Sequence, residues 1–152
     1  MVLNRNSFYF PFLNPIGLKA SVGFGYAQSL LENKPLPQVR LVNELAIGGQ
    51  GTVRGHVPRS IAAPSTARSV FFYNVRGEVL FPLFDDFGVA TFYDMGQLYS
   101  DYIPTPLTHG VGVGFRYKTP VGPISVDFAQ GFGYFGESTD KSVRFYFTVG
   151  TI

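Results

Sequence analysis

Between Thr108 and Lys118 the chain reads THGVGVGFRYK, and two unlike sets of residues alternate without a break. His109, Val111, Val113, Phe115 and Tyr117 are mostly apolar or aromatic, while Gly110, Gly112, Gly114, Arg116 and Lys118 are minimal or cationic. A period of two puts these sets on opposite faces of an extended strand. One such strand fits a soluble sandwich as well as a barrel. Recurrence of the pattern, its length, and charges on its polar faces separate the two.

The pattern recurs along most of the chain. Leu18, Ala20, Val22, Phe24 and Tyr26 alternate with Lys19, Ser21, Gly23 and Gly25. Phe71, Tyr73, Val75, Val79 and Phe81 alternate with Phe72, Asn74, Arg76, Glu78 and Leu80. Val89, Thr91, Tyr93 and Met95 alternate with Ala90, Phe92, Asp94 and Gly96. Ile124, Val126 and Phe128 alternate with Ser125, Asp127 and Ala129, and Val143, Phe145, Phe147 and Val149 with Ser142, Arg144, Tyr146 and Thr148. A poorer candidate at Ser7 to Phe12 contains Pro11, which suits a strand end or an edge. Strands are therefore expected at about 5–12, 16–28, 68–82, 86–99, 108–119, 122–131 and 141–151. Their lengths approach the roughly 9–11 residues with which a tilted strand crosses a bilayer. The fold class is all-β, with antiparallel transmembrane β-barrel strands favoured over soluble ones.

Composition bounds the function. The chain has 16 Phe, 9 Tyr, 18 Gly, no Trp and no Cys, with a formal net charge of +2. That charge is too small for a nucleic-acid surface, and no basic run stands out, so no nucleic-acid partner is expected. Without cysteine there is no disulfide framework and no thiolate metal site. No window approaches the roughly 20 apolar residues of a membrane helix. No cationic start followed by an apolar core and a cleavage site is visible.

The connections alternate in character. Phe81 to Asp86 and Thr119 to Pro123 read as tight turns. Gln97 to Leu107 and Gln130 to Lys141 read as longer loops, with short turns at one rim and long loops at the other as in outer-membrane barrels. No convincing helix appears, although Ala27 to Asn33 has room for one turn. The excursion from Ser29 to Ala67 is longer than a barrel requires, and loops of that length are usually functional or disordered. Inside it, Ile47-Gly48-Gly49-Gln50-Gly51-Thr52-Val53-Arg54-Gly55 can form a compact hairpin that offers Arg54 at its tip. A guanidinium placed in a barrel lumen requires carboxylates. Glu78 and Asp94 fall on the inward faces of the next two strands, and each charge-assisted bond is typically worth about 1.5–3 kcal/mol. Arg76, Arg116, Asp127 and Arg144 share those inward faces, with Arg116 and Asp127 as a cross-strand pair.

GGQGTVRG, GEVLFP, FYDMG, RYKTPVGPISVDFA and a terminal FYFTVG occur in the order and spacing of the BamA/TamA superfamily, the bacterial surface antigen family. The resemblance covers about residues 16–152. It implies about seven C-terminal strands of a sixteen-stranded outer-membrane barrel, with residues 29–67 as a loop folded back into the lumen. It implies Gly48, Gly49, Val53, Arg54 and Gly55 as the loop motif, with Glu78 and Asp94 as wall partners. The final strand, through Phe145, Phe147 and Gly150, resembles the signal by which such barrels are recognised for insertion. The chain departs from the pattern at Ile152 and at His56, where aromatic residues are usual. The resemblance further implies a bacterial outer-membrane location and a non-enzymatic role in assembling, inserting or translocating proteins, with no cofactor. Its expected partners are the lipid bilayer, unfolded outer-membrane proteins, and the remaining strands and POTRA domains, on the same or a separate chain. No POTRA domain lies within these residues, so the chain reads as a C-terminal portion or half of a split gene. A self-assembling small barrel and a short relative completed by a partner barrel are the alternatives.

Other features have plainer readings. GVGVG imitates a dinucleotide fingerprint but lies in a strand with no following helix. His56 and His109 are too isolated to argue a metal site. Asp85-Asp86 suits a solvated turn and Asp101 a loop charge, and no catalytic arrangement is supported. Two functional readings remain: an insertase or translocation barrel with a weakly pairing final strand around Thr148, Gly150 and Thr151, and a passive pore or two-partner-secretion type transporter plugged by the loop. Within the first, BamA-like and TamA-like roles both fit; TPVGPISVDFA leans towards the latter. A soluble ligand-binding barrel is a distant third.

Overall fold

A computed structural model describes residues 1–13, 15–29, 45–120, 122–133 and 142–150. Eight antiparallel strands form one sheet: β1 (Val2–Leu13), β2 (Ile16–Gln28), β3 (Ser69–Phe84), β4 (Phe87–Ser100), β5 (Ile103–Pro104), β6 (Thr108–Tyr117), β7 (Ile124–Phe132) and β8 (Arg144–Val149). The pairing order is β1-β2-β3-β4-β6-β7-β8, with β5 folded back on β4. The all-β reading holds, and the sheet is open, with β1 and β8 at its two ends.

Alternation fixes the two faces. Phe24, Tyr73 and Gln97 lie in one row across β2, β3 and β4, and the next row inward along the strands carries Val22, Val75 and Met95. This face is apolar and exposed along most of its length, from Leu18 and Val22 through Val113 and Phe115 to Phe145 and Phe147. The opposite face carries Phe72, Asn74, Glu78, Asp94 and Asp127, all buried, because the segment 45–67 lies across it.

The strand ends differ from the sequence expectation in several places. β1 starts at Val2 and reaches Leu13, with a register shift between Phe10 and Leu13 around Pro11. A proline without an N–H is accommodated there because β1 is an edge strand. The Phe81–Asp86 turn shrinks to Asp85-Asp86: β3 continues to Phe84, which pairs with Phe87, and an irregularity between Pro82 and Phe84 absorbs the proline. The Gln97–Leu107 loop begins later, because alternation continues to Ser100 with Leu98 fully buried. Two residues at positive φ, Asp101 and Tyr102, then turn the chain so that β5 pairs with Tyr99 and Ser100. The Asp101 carboxylate accepts from the Arg68 and Ser69 amides at 2.8–3.2 Å and from the Ser69 hydroxyl. Those bonds, led by the one from the Ser69 amide, hold its pKa below the usual carboxylate value. β6 stops at Tyr117, β7 starts at Ile124, and β8 covers only Arg144–Val149 of the expected 141–151. Residues 30–44 of the expected lumenal loop, 134–141, Thr151 and Ile152 lie outside the described residues. Ala27 and Gln28 extend β2 and do not start a helical turn.

Among the described residues, one apolar cluster sits where the segment 45–67 meets the wall. Leu45, Ile47, Ala63 and Ala67 pack with Ala27, Val70, Phe72 and Leu98, and Ile61 leans on the group. Paired bonds between the Ile47 and Ile61 backbones, 2.9 and 3.1 Å, close the segment into a hairpin-like excursion. The apolar cluster anchors its base near the long-loop rim. Its tip reaches further down the same wall, among the charges.

Candidate functional site: a charge cluster between loop tip and wall

The tip is built by short local bonds. Gly48 N donates to Thr52 Oγ1 at 2.8 Å and Gly49 N to the Val53 carbonyl at 2.9 Å. Gly48, Gly49 and Gly55 all have positive φ. At Gly55 the requirement is double: φ is 89°, and an added Cβ would meet the backbone of Gln130 and Gly131 on β7. The turn directs Arg54 into the wall with 2% of its surface exposed.

Arg54 meets three carboxylates from three strands. Its Nε and Nη2 donate to the two oxygens of Asp94 at 2.7 and 2.9 Å, a bidentate pair, and its backbone N–H adds a third bond to Asp94 at 3.1 Å. Nη1 donates to Glu78 at 3.2 Å and to Asp127 at 3.1 Å. Below the guanidinium, the Phe92 ring centroid lies 3.4 Å from Cζ, a cation–π contact. Burial by itself would lower the Arg54 pKa; the bond and charge of Asp94, then Glu78 and Asp127, raise it above its ordinary value.

Two further guanidinium groups complete the cluster. Arg116 donates to Glu78 at 2.9 and 3.0 Å and to Asp127 at 2.5 Å. Arg76 places Nε 3.5 Å from Asp94. Three arginines therefore face three carboxylates, and the cluster is neutral. Neutrality matters because an isolated ion in such a site is costly, whereas a fully paired set is tolerated.

The glycine face of β6 makes room for this arrangement. An added Cβ at Gly110 would overlap the Arg54 carbonyl oxygen, at Gly112 the Phe92 ring, and at Gly114 the Asp127 carboxylate and Arg116. Of the three, Gly110 seats the tip's own backbone, while Gly112 and Gly114 leave room for wall side chains that surround it. Val53 packs beside Gly96 in the same way on β4.

The sequence-derived candidates separate into groups. Arg54, Glu78, Asp94, Arg76, Arg116 and Asp127 come together. Arg144 lies on the inner face of β8, outside this cluster of six. Phe145 and Phe147 point outward and exposed, and Gly150 follows the strand with its N–H bonded to the Pro123 carbonyl at 2.9 Å. Sequence reading gave Arg54 two partners; the structure adds Asp127 as a third and Phe92 beneath it. Sequence reading assigned no contact to Tyr146, whose hydroxyl accepts from Gly55 N at 3.0 Å and donates to the His56 carbonyl at 3.2 Å. The His56 ring reaches the His109 carbonyl at 2.9 Å instead of a metal site. Among the described residues no group of His, Asp and Glu is placed to hold a metal ion.

A curved antiparallel sheet, apolar outside, with a loop seated on its inner wall through a neutral ion cluster, defines a segment of an outer-membrane type β-barrel. The chain matches the model of the Omp85 superfamily domain over residues 4–152, and it belongs to that family. Omp85 proteins are bacterial outer-membrane barrels that insert or translocate proteins; they generally lack enzymatic activity and work with POTRA domains.

Proposed function

We propose that this chain forms the C-terminal wall and lumenal loop of a sixteen-stranded bacterial outer-membrane barrel. Its role is to insert or translocate other outer-membrane proteins without enzymatic chemistry. The observation that carries the reading is the loop tip fixed by Arg54 to Glu78, Asp94 and Asp127 inside a chain of the Omp85 family. The apolar base of the loop and the neutral cluster at its tip lie against five strands of the inner wall, which supports a docked loop. Arg54 acts as a structural latch; Asp94 holds it bidentately, while Glu78 and Asp127 are shared with Arg116.

The outer face suits lipid. Phe71, Tyr99 and Tyr26 lie toward the long-loop rim, and Phe81, Phe87, Phe115 and Tyr117 toward the short-turn rim. Ten residues separate Phe71 from Phe81, about 33 Å along a strand at ~3.3 Å per residue. At the ~40° tilt usual in such barrels this is about 25 Å across the membrane, the height of an outer-membrane apolar band. Among the described residues, β8 pairs with β7 through six residue pairs. In the completed barrel the last strand meets the first, and a weakly paired seam there can open to a client strand through backbone hydrogen bonds. POTRA domains and the preceding strands, on this polypeptide or another, complete the machine. BamA-like and TamA-like roles both fit, and the TPVGPISVDFA stretch leans slightly towards the latter.

Depletion of the native protein in its own cells tests the reading. The expected result is loss of several unrelated barrels from the outer membrane, with their unfolded forms accumulating before insertion. An unchanged set of outer-membrane proteins together with reduced small-solute conductance would replace it with the passive-pore or secretion-transporter reading.

A further inference from the structure

The neutral cluster does not account for every cation on the inner wall. Arg5 on β1 and Lys19 on β2 stand on the same face: Arg5 is opposite Gly23, Ser21 opposite Arg76, and Lys19 opposite Glu78. The three carboxylates of the cluster are already engaged, Asp94 by two side-chain bonds from Arg54, and Glu78 and Asp127 by Arg54 and Arg116. Arg5 forms no ion pair among the described residues, and its Nη1 lies 3.5 Å from where a Cβ on Gly51 of the loop tip would stand. Arg76 reaches Asp94 only at 3.5 Å, and its buried Nε has no hydrogen-bond partner among the described residues.

Between these cations and the tip lies a half-enclosed cavity of about 410 Å³. The wall supplies Arg5, Lys19, Arg76 and Asn74, and the tip supplies Gln50 and Gly51. Three cations line this space and no carboxylate does. We propose that the cavity is a binding site for a small oxyanion, phosphate or carboxylate, held between the wall and the docked loop tip. Guanidinium groups present planar forks of N–H donors that match two oxygens of such an anion. The Ser7 and Ser21 hydroxyls, bonded to each other at 3.0 Å, also line the space, and one of their two hydrogens remains to donate. Gly23 keeps the floor open, because a Cβ there would press on Asn74 Oδ1 at 2.5 Å and on the Arg5 stem at 3.4 Å. Asn74 itself is 3% exposed, and its Oδ1 has no hydrogen-bond partner among the described residues. A buried polar atom left unpaired is costly, and turning this amide over brings an N–H donor to the same place. The tip forms one side of the cavity, so an anion bound there favours the docked loop by mass action.

The site needs only the docked tip and is tested on the full-length native protein extracted in detergent. Inorganic phosphate and acetate are titrated separately against chloride at fixed ionic strength, which holds screening constant. Calorimetry reads binding, and the urea midpoint reads the linked stability. Saturable binding of at least one anion, with a rise in the midpoint, is expected. Arg5→Gln, outside the cluster that holds Arg54, should weaken that binding about tenfold or more, as loss of a hydrogen bond to a charged group does. Ser21→Ala should weaken it by a smaller factor, and it serves if Arg5→Gln does not fold. Tighter phosphate identifies a free oxyanion as the occupant, and tighter acetate identifies a carboxylate such as an acidic side chain carries. If neither anion binds saturably, the cations are simply solvated and the proposal is overturned. Binding of equal strength in the native protein and both variants overturns it too, because the anion then sits elsewhere.

Discussion

Arg54→Ala is expected to cost about 3–5 kcal/mol of barrel stability, the usual penalty for removing one member of a buried ion set. Asp94 loses both side-chain bonds of its bidentate partner and keeps only the one from the backbone N–H, and Arg76, 3.5 Å away, is too distant to replace that partner. Glu78 and Asp127 keep Arg116, so the cluster is left with an excess negative charge in a buried place. Phe92 loses the cation above its ring as well. Urea unfolding of the extracted protein, with heat-modified electrophoretic mobility as a second readout, measures the loss. Asp94→Asn should cost nearly as much, and Glu78→Gln less, because Glu78 makes a single bond to Arg54 at 3.2 Å. The combination Arg54→Ala with Asp94→Asn should cost less than the sum of the two by at least about 1 kcal/mol, since both remove the same interaction. Additive losses, within about 0.5 kcal/mol, would mean that the residues do not act as one network.

Gly110→Ala is the second large expectation, and it involves no charge. The added methyl would occupy the position of the Arg54 carbonyl oxygen, and both contacting groups are backbone, which cannot rotate aside. Overpacking of this kind typically costs about 1–3 kcal/mol, and here the relief is to lift the tip from β6. Gly110→Ala should therefore mimic much of Arg54→Ala, and adding one to the other should give little further loss. Gly77→Ala is the control. Its Cβ would meet only the Tyr93 carbonyl oxygen at 3.9 Å, so stability should move by no more than about 0.5 kcal/mol. Equal effects of the two substitutions in the same unfolding assay would show that Gly110 is not a seat for the loop.

Much of this architecture is legible in the alternation. Period two assigns each side chain to a face, and so Glu78, Asp94, Arg116 and Asp127 are readable as charges on one side of a sheet. Period two does not give curvature. Asp127 stands two strands beyond Asp94, and only the bend of the sheet around the loop brings both within 3.1 Å of one guanidinium. Phe92 belongs to the inner face by pattern, yet nothing in the pattern says that a cation lies on its ring. Tyr146 escapes notice for another reason: its partners are a backbone N–H and a backbone carbonyl, which carry no side-chain signature. The strand ends are blurred where proline and aromatics mix. Pro82 signals a turn, but the Phe84–Phe87 pair carries the hairpin two residues further, and the two-residue β5 is too short for any periodicity.

The central claim is that the tip of the loop lies on the inner wall in the membrane, and a designed crosslink tests it most directly. An ideal Cβ at Gly96 lies 2.9 Å from Val53 Cγ2, which places the two Cβ positions close to the spacing of a disulfide, roughly 3.5–4.5 Å. The chain has no cysteine of its own, so Val53→Cys with Gly96→Cys gives one possible intramolecular bond within it. Mild oxidation of intact membranes, read as a shift in mobility reversed by reductant, should crosslink nearly all of the protein, and Arg54→Ala should lower that fraction. Absence of the crosslink in otherwise folded protein would contradict the account, because the loop tip would then lie away from the wall whose carboxylates pair with Arg54.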